Sequence, residues 1–410
     1  MPPPNRRPPP VRPGRPAPGR ACRREPRPRP GGRAPTVPEL APERWPDTSF
    51  YVPRYRVLID GRELHAAGSD FLSVEVSDSI SELSGFTLVL NNWDDGGGRR
   101  RPGFKYTEDF AAIRPGSRVE IEMGYEDGPP MELMITGVIT ALDPSFPASG
   151  APTITVRGLD RLHEMRNQPK SVSWKDNDAD IATAIAASYG MRARVDRTLD
   201  TGERLPTPDG VVPQQNMDDL AFLVERARRI NFEVYACCDE LCFVQSREGQ
   251  DPVALRLEWG TSLVSFSPTL TFAKQVSEVT VRAWHPYSGE LIEVTERRLD
   301  AEEVPPGRRP ADDLVRELFR RDKREIITSE GVLTAADAKA LAHSVLERSS
   351  DPFVTGTAQT VGVPLLRAGR NVELTGLGKI FDGKYYITES THTIDEGGYQ
   401  TTIHVRKAYV

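Results

Sequence analysis

Gly362-Val363-Pro364, Ala368-Gly369-Arg370-Asn371-Val372-Glu373-Leu374, Phe381-Asp382-Gly383-Lys384-Tyr385-Tyr386-Ile387-Thr388, Gly397-Gly398-Tyr399 and Thr402-Ile403-His404-Val405-Arg406 punctuate the segment from Thr360 to Val410. Short runs that alternate apolar and polar residues, broken by Asp-Gly and Gly-Gly, predict antiparallel strands joined by tight turns. The chain therefore ends in a small β-barrel or sandwich.

The same pattern occurs upstream. Gly116-Ser117-Arg118-Val119-Glu120-Ile121 matches Gly369 to Leu374, and Thr153-Ile154-Thr155-Val156-Arg157 matches Thr402 to Arg406. Gly137-Val138-Ile139-Thr140 falls between them, where Gly383 to Thr388 falls in the later copy. Three matches in one order predict a strand module used twice.

A chain of 410 residues has room for two or three domains. More than half of residues 1–46 are Pro or Arg, and they hold too few apolar side chains for a core, which predicts a disordered, partly polyproline-like tail. Eleven arginines against three glutamates give this tail +8, so with −6 overall the remainder carries −14. A basic tail on an acidic body can bind nucleic acid, an acidic partner or its own protein. The excess of Arg over Lys also fits a GC-rich gene, so the tail equally reads as translation from an upstream start that the cell does not use. No signal peptide is recognisable, and no apolar run reaches the roughly 18 residues of a membrane span. Cytoplasmic synthesis is expected, and four cysteines do not argue for a disulfide framework.

From Arg54 the pattern predicts strands at Arg54–Asp60, Phe71–Val76, Phe86–Leu90, Arg118–Tyr125, Glu132–Leu142 and Thr153–Leu159, with a solvated, mobile loop over Asp94–Arg101. These make a first barrel, residues 47–165. The period then changes. Residues 166–252 read as a small α/β domain. Its first helix runs from Asp178 to Tyr189 with Ile181, Ala184, Ile185 and Ser188 inward, and a turn follows at Thr207-Pro208-Asp209-Gly210. A second helix opens at Asn216 with Asp219 as capping partner and buries Leu220, Leu223, Val224, Ala227 and Ile230. A hairpin pairs Phe232–Tyr235 with Leu241–Val244. Residues 253–410 read as a second barrel with strands at Ala254–Glu258, Ser262–Phe272, Val276–Trp284 and Glu290–Thr295. A helical insertion at 301–349 interrupts it, holding a Pro-rich loop at Val304–Pro310 and a helix capped by Thr334 and Asp337. The fold class is mainly β with α+β insertions: two similar antiparallel β-barrel domains, a small α/β domain and a helical insertion.

No catalytic constellation emerges. Asp176-Asn177-Asp178-Ala179-Asp180 begins like a calcium loop, but Ile181 and Ala187 stand where Gly and Glu are needed, so helix capping is the reading. Cys237-Cys238 with Cys242 lacks zinc spacing and a nearby His, and Cys22 lies in the tail. Glu389 and His392 fall on opposite faces of a strand. Neither Gly-x-Ser-x-Gly nor a phosphate-binding Gly-rich loop is present. The chain reads as a non-enzyme with no catalytic residue, metal, cofactor or small-molecule substrate.

Ser79–Asn91, Ala221-Phe222-Leu223-Val224-Glu225-Arg226-Ala227-Arg228, Phe381–Tyr385 and Gly398-Tyr399-Gln400-Thr401 resemble the late control D family of phage tail proteins, itself similar to the N-terminal part of VgrG in type VI secretion and to hubs of contractile injection systems. The resemblance runs from Tyr51 to Val410. It implies a structural baseplate hub and virion component: a homotrimer whose six barrels form a ring joining a hexameric tail tube protein to a three-fold spike. VgrG chains continue into a spike domain while this sequence stops at Val410, so a separate spike protein is expected. Other baseplate components or cargo are further expected partners, through the N-terminal tail, and incorporation into a tail or injection particle follows cytoplasmic synthesis. The candidate assembly residues are Gly116, Val119, Gly369, Val372, Gly383, Tyr399 and Val405. The competing readings are a tail-associated peptidoglycan-degrading enzyme, for which paired carboxylates in a spare domain are missing, and a nucleic-acid-binding protein acting through the Arg-rich tail, which the acidic body disfavours.

Overall fold

A computed structural model describes residues 52–64, 70–94, 103–109, 113–126, 128–198, 211–249, 252–273, 275–285, 288–297, 307–319, 323–328, 332 and 334–410. The Pro/Arg tail with Cys22, the loop beyond Asp94, residues 304–306 of the Pro-rich loop and the Thr207–Gly210 turn lie outside the described residues.

The first strands are β1 (Pro53–Ile59), β2 (Arg62–Glu63), β3 (Phe71–Ser79), β4 (Gly85–Asn91), β5 (Trp93–Asp94), β6 (Gly103–Phe104), β7 (Arg118–Tyr125), β8 (Glu132–Ser145) and β9 (Thr153–Asp160). Alternation sets their faces: Phe86, Leu88 and Leu90 of β4 point inward with Val119, Ile121 and Met123 of β7 and Ile154 and Val156 of β9. Each such side chain contributes about 1.5–3 kcal/mol on burial. The inward stripe therefore holds these strands against one core.

A 3₁₀ turn at Arg161–Arg166 leads into β10 (Lys170–Trp174), α1 (Asp178–Ser188), β11 (Arg192–Val195), β12 (Val212–Met217), α2 (Asp219–Arg229), β13 (Phe232–Cys237) and β14 (Glu240–Gln245). Asn177 caps α1, accepting the Asp180 amide at 2.9 Å. The inward face of α1 differs from the expected one: Ile181, Ala182, Ile185 and Ala186 are buried, whereas Ala184 and Ser188 are exposed. Once the two isoleucines fix the stripe, either neighbouring pair of small residues satisfies the helical period, and the packing surface selects Ala182 and Ala186. Asn216 does not open α2. It sits in β12 with φ +49°, and Asp218 is the cap, accepting the Ala221 amide at 2.8 Å. Asn and Asp both favour caps and left-handed turns, so the local pattern left the two positions interchangeable. Phe222, which the sequence reading omitted, is buried in α2 beside Leu223.

The remaining elements are β15 (Val253–Glu258), β16 (Leu263–Leu270), β17 (Glu278–Trp284), β18 (Leu291–Arg297), α3 (Ala311–Phe319), β19 (Arg324–Thr328), α4 (Ala335–Ser350), β20 (Val354–Val361), β21 (Asn371–Thr375), β22 (Gly383–Asp395) and β23 (Gly398–Lys407). Thr334 and Asp337 form the expected capping box: each backbone amide donates to the other's side chain at 3.1 Å. β17 and β18 are not barrel strands. With β19, parallel to β17, they form a separate sheet whose Val279, Val281 and Ala283 pack against Ala338, Ala342 and Leu346 of α4. Alternation predicts that a strand exists and which face it buries. It does not say which sheet it joins.

The duplication is visible as topology. Hydrogen bonding orders the strands β3-β4-β9-β8-β7-β1 in one half and β16-β20-β23-β22-β21-β15 in the other, within one 13-stranded sheet. Both halves follow the same order along the chain. Irregularities repeat as well. Bulges fall at Thr140 and Thr388, and again at Leu72 and Val264. The Gly116 amide donates to the Ile139 carbonyl at 2.8 Å, and the Gly369 amide to the Ile387 carbonyl at 2.9 Å. Gly116 (φ +86°) and Gly369 (φ +81°) adopt a backbone region that favours glycine, which is why both strand starts keep one. The Thr140 hydroxyl donates to the Arg157 carbonyl and the Thr388 hydroxyl to that of His404. These equivalences set Arg157 against His404, so the apparent match of Thr153–Arg157 with Thr402–Arg406 is two residues out of register. A slip of two leaves every side chain on the same face, so the pattern could not reveal it. One pairing departs from the repeat: β1 runs antiparallel to β7, while β15 runs parallel to β21.

Candidate assembly interface

The two halves meet on β22. Its first residues pair with β21, and beyond the Thr388 bulge Glu389 to Ile394 pair with Ser79 to Val74 of β3. β23 follows β22 from Tyr386 to Asp395, so the closing hairpin crosses from the second half into the first, and Ile394 and Tyr399 belong to the first half's core.

Polar side chains fix this junction from within. Arg367, just ahead of Gly369, donates to both carboxylate oxygens of Asp78 on β3, and its remaining N–H groups reach the Leu133 and Met134 carbonyls of β8. Burial opposes its charge, but Asp78 outweighs that opposition and holds the guanidinium firmly protonated. His392 is fully buried. Its Nε2 lies 3.0 Å from the Leu366 carbonyl, and its Nδ1 lies 3.0 Å from the Thr401 hydroxyl and 3.1 Å from that of Tyr399. A carbonyl only accepts, so the proton sits on Nε2 and Nδ1 accepts from a hydroxyl. Burial, reinforced by Arg367, lowers the His392 pKa to about 4, which keeps the ring neutral at pH 7. The Tyr399 ring packs at 5.6 Å and a 36° tilt against Tyr125, whose hydroxyl donates to the Gly362 carbonyl at 3.0 Å. A Cβ on Gly362 would meet the Tyr399 ring at 1.9 Å, so only glycine allows this approach.

The seven sequence-predicted residues occupy two kinds of position. Gly116, Gly369 and Gly383 (φ +140°) are turn or strand-start residues, and Val119, Val372, Val405 and Tyr399 are buried. Tyr399 is the one among them at the β22–β3 junction. Arg367 and Asp78 were missed, and His392 was weighed only with Glu389 as a site residue and set aside. Arg367 carried a signal, a lone charge within Leu365-Leu366-Arg367-Ala368, but nothing local names a partner 289 positions away.

Burial also shifts two ionisable groups at strand ends, Asp160 and Lys407. Asp160 caps the 3₁₀ turn, accepting the Leu162 and Ser84 amides at 2.9 and 2.7 Å, and burial raises its pKa to about 6. Lys407 donates to the Ile380 and Asp382 carbonyls beneath Tyr385, and burial lowers its pKa to about 7. Among the described residues no three His, Cys, Asp or Glu side chains gather as metal ligands, and no helix is long and apolar enough to cross a membrane.

Two barrel-like modules sharing a sheet, with an α/β unit between them, are the architecture of known tail proteins. A 43 kDa tail protein of prophage MuSo2 from Shewanella oneidensis superposes with a TM-score of 0.63 at 16% identity, over 87% of this chain and 98% of that one. A tail protein from Neisseria meningitidis MC58 gives 0.62 at 14% identity, over 87% and 97%. The Escherichia coli c3393 protein, described as a component of the type VI secretion system structurally similar to the T4 bacteriophage tail proteins gp27 and gp5, gives 0.51 at 12% identity, over 86% and 76%. No curated protein matches the sequence. The chain belongs to the Alg8 N-terminal domain family, whose model matches residues 50–396.

Proposed function

We propose that this chain is a structural hub of a contractile tail or injection-system baseplate, three copies forming a ring of six barrel-like modules between a hexameric tail tube and a three-fold spike. The observation that carries the reading is the use of one six-strand topology twice, joined edge to edge by β22 and β3. Two equivalent modules per chain turn three-fold symmetry into pseudo-six-fold symmetry, which a symmetry adaptor requires. The proteins that share the fold are described as tail proteins and a type VI secretion component, and the proposal extends that role to this chain. Buried side chains at the within-chain junction serve to hold the modules in a fixed orientation.

Native mass spectrometry with negative-stain averages tests the reading. The expected result is a species of three chain masses with six lobes around a channel. A monomer or dimer at every micromolar concentration tried would sink it.

A further inference from the structure

The junction inside the chain has an unused counterpart. In the second half, the stretch of β22 beyond its bulge pairs with β3. In the first half, the equivalent stretch of β8 beyond the Thr140 bulge, residues 141–145, pairs with β9 on one side, and among the described residues no strand pairs with its other side; Phe146 follows directly. β16, the counterpart of β3, pairs with β20, and among the described residues no strand pairs with the outer edge of its Ser265–Leu270 stretch. Val264, just ahead of that stretch, is 67% exposed and Phe146 beyond β8 is 58% exposed.

The repeat also fixes a register. Ile387 matches Ile139 through their shared bulge and glycine contact, so Ser390, His392 and Ile394 match Leu142, Pro144 and Phe146. Thr357 of β20 matches Thr87 of β4 through His404 and Arg157, so Asp78, Val76 and Val74 match Leu270, Pro268 and Phe266. Copying the β22–β3 register places Leu142 opposite Leu270, Pro144 opposite Pro268 and Phe146 opposite Phe266. All six are apolar, and they share one face. Asp143 and Ser145, with Ser267 and Thr269, fall on the other face and are exposed. Leu142 packs on the first core, and Phe266 and Leu270 on the second, so this pairing continues the apolar layer from module to module.

We infer that residues 141–146 of one copy of this chain pair antiparallel with Ser265–Leu270 of the next, in this register, and that this contact closes the ring. The inference rests on the hub reading above and adds to it the two edges and their alignment. The occupant is a second copy because the within-chain junction already shows the same two strand types joined in the same way.

Paired cysteines test it. Asp143→Cys with Thr269→Cys puts two thiols opposite each other on the exposed face, within disulfide reach in an antiparallel pair. Thr391→Cys with Ser77→Cys, the same positions at the within-chain junction, serves as the geometric control. In full-length protein, mild oxidation is expected to link the first pair into covalent trimers on non-reducing denaturing gels, while each single variant stays monomeric. Phe146→Arg, which also gives up an edge-on contact with the Phe104 ring at 5.2 Å, is expected to weaken self-association at least 10-fold while lowering the melting temperature by no more than the loss of that one surface contact explains. If native mass shows the ring but the first pair stays unlinked while the control closes, or if Asp143→Cys links equally well with Ser267→Cys, this junction is wrong and the hub reading stands. A parent protein that never self-associates removes both.

Discussion

His392 and Asp160 are titratable groups taken almost wholly out of water, and burial shifts the titration of each toward its neutral form. Their effects on stability have opposite signs. The histidine titrates near 6.5 when unfolded and near 4 when folded, so the unfolded chain binds the extra proton between those values. Stability contributed by His392 is therefore present above pH 6.5 and lost as pH falls toward 4. The aspartate titrates near 3.8 when unfolded and about 6 when folded, so there the folded chain binds the proton, and stability is gained as pH falls from 6 toward 4. Each shift is on the order of 3 kcal/mol, at about 1.4 kcal/mol per pH unit, so the two nearly cancel across the same window. Melting curves from pH 7 to 4 should accordingly separate the variants. His392→Gln is expected to gain on the parent as pH falls, and Asp160→Asn, which retains a capping acceptor, is expected to lose ground. Parallel curves for all three proteins would show that the fold shifts the titration of neither side chain.

Among the elements, β23 carries the most. It lies between β20 and β22, and Val405 sits between Gly356 and Ile387 with its side chain in the second core. Val405→Pro deletes a ladder hydrogen bond in a central strand and removes packed methyl groups, costing on the order of 3 kcal/mol or more. Because the same strand runs on toward the β22–β3 junction, the variant is expected to lose self-association together with a melting temperature lowered by several degrees. A variant that melts and assembles like the parent would contradict the central role of β23. The sequence made much of this element legible, since Asp-Gly, Gly-Gly and strict alternation are local signals, and the paired Gly-x-x-Val-Glu starts survive as equivalent turns at Gly116 and Gly369. What stayed hidden has a common cause. The separate sheet of β17 to β19, the two-residue offset of β9 against β23 and the Arg367–Asp78 pair all depend on which distant segments meet. Periodicity fixes a residue's face and leaves its partner open.

For the whole molecule, the inferred ring has two kinds of seam. Within a chain, the Thr388 carbonyl accepts the Ile80 amide, and alternation from there turns Ser390, His392 and Ile394 toward β3 as hydrogen-bonding positions. The seam between copies has Pro144 and Pro268 at the positions equivalent to His392 and Val76. Neither proline has an N–H to give, so the ladder lacks both bonds of its middle pair. Proline belongs on sheet edges with its nitrogen turned outward, which leaves the inner pairings with β9 and β20 intact and keeps a free chain from joining strands at random. The seam between copies is then held chiefly by Leu142, Phe146, Phe266 and Leu270, while the seam within a chain has a full ladder and the Arg367–Asp78 pair. Rings should separate into folded chains before the chains unfold, on dilution or in mild denaturant. Pro144→Val with Pro268→Val restores the two donors, each worth about 0.5–1.5 kcal/mol net, and two such bonds at one seam correspond to roughly 5- to 150-fold tighter association. Sedimentation at graded concentration, with circular dichroism in parallel, measures both steps. The expected outcome is a dissociation midpoint moved to lower concentration while the unfolding midpoint of the separated chain stays within about 1 kcal/mol of the parent. Weaker association in the double variant, with the fold intact, would mean that the two prolines form the contact themselves and that the seam is not a ladder.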